Sequence, residues 1–121
     1  MTPRDLQQRT KRFALRVMKL VAALPKTIEG RAIATQLIRC GTSVAANYRA
    51  ACRSRSKAEF VARMGVVLEE ADETQLWLEL IIEGRMLPSK RVEQLLSEAS
   101  ELVAICVTSR KSASANLKST I

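Results

Sequence analysis

Apolar residues recur along this chain at intervals of three and four, and the intervals break at a few well-marked points. Leu6, Phe13, Val17, Leu20, Val21 and Leu24 fall on one helical face, which predicts a first helix over about residues 4–24. Pro25 ends it, because the residue before a proline is pushed out of the helical region. Thr27 is a suitable N-cap, and Glu29 follows in the first turn, where the helix dipole favours an acid. A second helix over about 27–53 then carries an inward stripe of Ile33, Leu37, Cys40, Gly41, Val44, Tyr48 and Cys52. Gly41, Ala45 and Ala46 make its middle thin, as suits close approach of another backbone. Ser56-Lys57-Ala58-Glu59 reads as a capping box and opens a third helix, about 56–84, closed by Gly84 and kept from continuing by Pro88. Ser89 opens a fourth helix to about 109, burying Val92, Leu95, Leu96, Ala99, Leu102, Val103 and Cys106. From 110 to 121 no periodicity remains, and the segment reads as a tail.

No strand-like alternation or hairpin turn appears. Short connections make successive helices antiparallel neighbours, so residues 1–121 are expected to form one all-α, up-down-up-down four-helix bundle. The third helix is apolar around more than one face. Phe60, Met64, Val67, Ala71, Leu78 and Ile81 form one stripe, and Val61, Leu68, Leu76, Trp77, Leu80 and Ile82 spill around the side. A helix this wide is either central or covered by another subunit. Self-association is the favoured reading, with Trp77, Leu76 and Leu80 as its interface.

Charge changes the picture more than composition does. The first 55 residues hold 12 Lys and Arg against 2 acids, and the remaining 66 hold 8 against 10. The net +8 is therefore a concentrated field, suited to a polyanion. Arg9, Arg12, Arg16 and Lys19 line the polar face of the first helix, with Arg4 and Lys11 beside them. Asp5 is the only acid before Glu29, so ordinary pairing along that helix is unavailable. Arg49, Arg53 and Arg55 cluster at the end of the second helix, either as helix-dipole partners or as a second part of the same surface. These nine residues are the candidate nucleic-acid contacts. Aromatic residues are only 3%, so contact with RNA or DNA should be to phosphates and not by base stacking.

Other chemistry is thin. There is no histidine, no base beside a cysteine and no phosphate-cradling glycine loop, so the chain is read as a non-enzyme without cofactor. Seven acids on the third helix, Glu59, Glu69, Glu70, Asp72, Glu73, Glu79 and Glu83, suit charge pairing with the basic helices better than a metal. Asn47 is read as a structural polar group bonded to nearby backbone or to Ser43, and Ser56 and Glu59 as helix caps. Cys40 and Cys52 lie 12 residues apart on one helix, about 18 Å, too far for a disulfide. Small core side chains are their plainer role, and a reducing cytoplasm is the expected location, with no membrane span or leader. Two functions stay open. One is a nucleic-acid-binding oligomer. The other is a scaffold whose basic surface recruits an acidic protein.

Two segments carry a family resemblance. One is Ser43-Val44-x-x-Asn47-Tyr48 with a short Arg-rich link into Ser56-x-x-Glu59-Phe60. The other is Glu69-Glu70-Ala71-Asp72-Glu73 followed by Trp77-Leu78. Over roughly residues 6 to 108 the chain resembles the small bacterial four-helix-bundle proteins called 23S ribosomal RNA intervening-sequence proteins. That resemblance implies a left-handed bundle assembling as a ring-like homopentamer with a central funnel. The family is similar in turn to the accessory variability determinant protein of diversity-generating retroelements, a basic pentameric barrel that binds nucleic acid and a reverse transcriptase. The family name records a genomic position within ribosomal RNA insertions and implies no activity.

Overall fold

The structure is a computed structural model describing residues 1–119, with side chains described to residue 116. Four helices, α1 (Pro3–Ala22), α2 (Ile28–Ala51), α3 (Lys57–Glu83) and α4 (Glu93–Ser119), account for most of it, with a 3₁₀ turn at Ser89–Arg91. No strand occurs among the described residues.

Each start has a local cause. Thr2 caps α1: its Oγ1 accepts from the Asp5 N–H at 3.1 Å, and its own N–H donates to Asp5 Oδ2 at 2.8 Å. Pro3 follows at the first helical position, where a missing N–H costs nothing. Thr27 Oγ1 accepts from the Gly30 N–H at 3.0 Å to start α2. Ser56 Oγ accepts from the Glu59 N–H at 3.1 Å to start α3. The Glu59 carboxylate, however, takes the N–H of Arg55, at 3.0 Å, so the reciprocal bond falls one residue before the cap.

One end falls where expected and one does not. α3 closes on Gly84 with an ordinary right-handed φ of −80°, and the left-handed residue is Arg85, φ 55°. The fourth element begins as a 3₁₀ turn and becomes α-helical only at Glu93. It then runs on through 110–119, where a tail was expected; residues 120–121 of that segment lie outside the described residues. The physical reason is that extending an existing helix needs no new nucleus, and 110–119 contain neither Gly nor Pro. Arg110 also holds the extension down, donating from Nε to the Val61 carbonyl at 3.1 Å, with its guanidinium lying over Gly65.

Contacts between helices run in opposite numerical order. Gln75 of α3 meets Ser100 of α4, and Val61 meets Arg110, so these two are antiparallel. Arg39 of α2 meets Glu70 and Glu73 of α3, and Ala50 meets Arg63, so this pair is antiparallel as well. α3 thus sits between α2 and α4, whereas α1 packs chiefly on α2 and touches α4 over a shorter stretch.

The core is built from the expected stripes, with Phe13, Val17, Leu37, Met64, Leu78, Ile81 and Leu102 among its fully buried members. Gly41 lets α1 pack tightly on α2: a Cβ there would lie 2.8 Å from both Val17 methyls. Two threonines are buried too. Thr10 shares its hydroxyl proton between the Leu6 and Gln7 carbonyls at 2.9 and 3.0 Å, and Thr74 donates to the Glu70 carbonyl at 2.8 Å. All three cysteines are free; burial holds the Cys40 thiol above its usual range and pushes Cys106 up to about 11.

The wide apolar surface of α3 is only partly explained by its central place. Phe60, Leu68, Trp77 and Ile82 are half-buried against the core, but Leu76 and Leu80 stay 46% and 39% exposed.

Candidate nucleic-acid interface

α1 is strongly two-sided. With Leu6, Phe13, Val17 and Leu20 turned into the core, Arg4, Lys11, Arg12, Arg16 and Lys19 are left exposed along the outer surface. None of these five has a carboxylate within ion-pair distance among the described residues. The surface is not purely cationic, since Leu15 and Met18 are 57% and 48% exposed among the basic side chains.

Arg9 stands apart from its neighbours. Its Nε and Nη2 each donate to Glu98 of α4 at 2.7 Å, a two-bond fork, and Glu101 lies 3.3 Å from Nη2. Both partners in the fork are mostly buried, with 21% and 15% of their side chains exposed. The bond to Arg9 holds the Glu98 carboxyl below the usual carboxylate range, with Arg16 and Arg12 adding to the effect through their charge. It likewise raises Arg9 above the ordinary guanidinium range. Arg9 is thus committed to joining α1 and α4, and of the six cations on this helix surface it is the one not offered to solvent. Sequence reasoning weighed only the acids of the third helix and so missed Glu98 and Glu101. The signal was there: they stand three apart on the outer side of a helix whose core positions include Leu95, Ala99 and Leu102.

Arg49, Arg53 and Arg55 are exposed, and they sit where α2 ends, at the end of the bundle where α1 begins. The fold therefore joins the Arg4 end of the α1 surface to the α2 cluster. None of the three makes a side-chain ion pair among the described residues.

The acids of α3 are turned elsewhere. Glu70 and Glu73 pair with Arg39 of α2, and Glu59 pairs with Arg63 one turn along at 2.7 Å. No group of three or more potential metal ligands comes together among the described residues. Asn47 is half-buried and donates from Nδ2 to the Ser43 carbonyl at 2.9 Å, a bond within the helix. Trp77 buries its indole N–H without an acceptor among the described residues. No described helix is long and apolar enough to cross a membrane.

Fold and surface together define a small, basic, all-helical bundle. The chain belongs to the 23S rRNA-intervening sequence protein family, whose model matches residues 4–108, so that the α4 extension lies beyond the matched stretch. It is similar to the crystal structure of a protein of unknown function of the S23 ribosomal protein family from Bacteroides thetaiotaomicron. The likeness has a TM-score of 0.84 and 28% identity, and covers 92% of this chain and 99% of that one. No curated protein matches the chain.

Proposed function

We propose that this chain is a non-enzymatic homo-oligomer that binds nucleic acid by phosphate contacts along α1 and the end of α2. One observation carries the reading: Arg4, Lys11, Arg12, Arg16 and Lys19 are exposed, share one helix surface and lack carboxylate partners among the described residues. Unpaired cations at this spacing suit a polyanion of low sequence demand. Self-association is supported by Leu76 and Leu80, one turn apart on α3 and left exposed by the bundle. Five subunits is the number the family resemblance implies. If each neutralised one or two phosphates, the slope of log affinity against log salt would be about −5 to −9. Fluorescence anisotropy with duplex RNA and DNA across a salt series tests this. Affinity weaker than about 0.1 mM at low salt, or insensitive to salt, rules it out.

A second reading has one observation of its own. Leu15 and Met18 interrupt the basic surface with apolar area, which suits an acidic protein partner more than a phosphate backbone. Replacing both by serine separates the two: nucleic-acid affinity stays unchanged on the first reading, while a protein contact weakens on the second.

A further inference from the structure

At the end of the bundle where α1 and α3 begin and α2 ends, the helices do not close on one another. A cavity of about 830 Å³ remains, bounded on its fourth side by the middle of α4. Its floor is core: Leu6, Tyr48 and Ala51 are at most 5% exposed. Phe60 and Ile105 form half-buried walls. A volume of this size with mostly apolar walls is what small-molecule sites have.

The charged side chains of the cavity are of one sign. Arg55 and Lys57 are the only ionisable side chains of ordinary charge among its lining residues, and no carboxylate is there. We propose that this cavity takes the aliphatic chain of an amphiphile with an anionic head group, the chain lying over Leu6, Ala51, Phe60 and Ile105 and the head meeting Arg55 and Lys57. A cationic head is disfavoured by the same two charges. This site is separate from the phosphate surface proposed for α1, sharing with the wider basic set only Arg55.

Cys52 provides a direct readout. It lines the cavity and is half-buried, whereas Cys40 and Cys106 are buried in the core. The experiment is iodoacetamide labelling of the full chain, followed by mass spectrometry. Dodecanoate and dodecyl phosphate are the probes, dodecyltrimethylammonium is the opposite-charge control, and all are kept below micellar concentration. The expected result is saturable slowing of Cys52 labelling, about tenfold or more, by one or both anionic probes at one equivalent per chain. Which of the two protects identifies the head. Ala104→Trp, at the exposed α4 edge of the cavity, should abolish protection, and Arg55→Gln with Lys57→Gln should weaken it about fivefold. The salt-dependent binding of RNA or DNA should survive Ala104→Trp. Failure of both anionic probes overturns the proposal, as does equal protection by the cationic one. So does Cys52 labelling that falls with protein concentration alone, since a second copy then covers the cavity. Labelling of Cys40 and Cys106 alongside Cys52 also overturns it, because the probe is then opening the bundle and not filling it.

Discussion

Arg9 and Glu98 show how much one residue's partner decides. The Glu98 carboxyl titrates below its ordinary range because Arg9 bonds its ionised form. In the unfolded chain it returns to about 4.3. The folded state therefore prefers the ionised acid, and the stability this adds is fully present above the unfolded value. It is lost as pH falls through the lower folded one. Glu98→Gln should cost about 1–2 kcal/mol at neutral pH, since the fork is mostly buried but Glu101 remains beside Arg9. It should also flatten the fall in stability that sets in as pH drops below the unfolded value of about 4.3. Urea denaturation of both proteins at several pH values measures this, and parallel curves would refute it. Gly41 gives a second case. Alanine is the better helix former by about 1 kcal/mol, but its methyl would press on Val17, which is fully buried. Overpacking of this kind costs about 1–3 kcal/mol, so Gly41→Ala should lower the melting temperature slightly or leave it unchanged, where an open site would gain. Coupled to Val17→Ala, the two changes should be non-additive in the favourable direction.

At the scale of the element, helix starts were readable from the sequence and some ends were not. Starts at Thr27 and Ser56 follow from bonds between a side chain and the backbone three residues on, which a linear reading can see. The α1 box of Thr2 and Asp5 has the same logic but lies ahead of the Arg4 start that the apolar periodicity predicts. The continuation of α4 past Ser109 is held against the bundle by Arg110 reaching the Val61 carbonyl 49 residues away, with Gly65 leaving room for it. No local rule contains that contact. Arg110→Ala should therefore release the extension without unfolding the bundle. Backbone amide exchange in 110–116 should quicken about tenfold or more, while amides of α2 and α3 keep their protection. Loss of protection throughout would show that the extension is part of the core.

At the scale of the whole molecule, the open matter is which surfaces are final. α3 buries one stripe against α2 and α4 and still leaves Leu76 and Leu80 half in water. Leu76→Glu with Leu80→Glu should leave the helical content unchanged and reduce the mass seen by light scattering to that of one chain. An unchanged mass would place any subunit contact elsewhere. The single-helix basic surface behaves as a second such face. Its worth depends on cations that this chain's own acids do not neutralise, because Glu70 and Glu73 are held by Arg39 and Glu98 by Arg9.

The periodicity of apolar residues and the short links between its segments were enough to specify four helices and most of the core, because burying an apolar stripe is a demand each helix makes by itself. The concentration of positive charge near the start was equally plain in one dimension. Which cations stay unpaired was not, since an ion pair needs two side chains from distant stretches at one place, and only packing supplies the place. The same holds for the cavity between α1, α2, α3 and α4. Its walls come from four separate segments, each of which reads alone as ordinary helix end or core, and the space between them exists only once the helices have met.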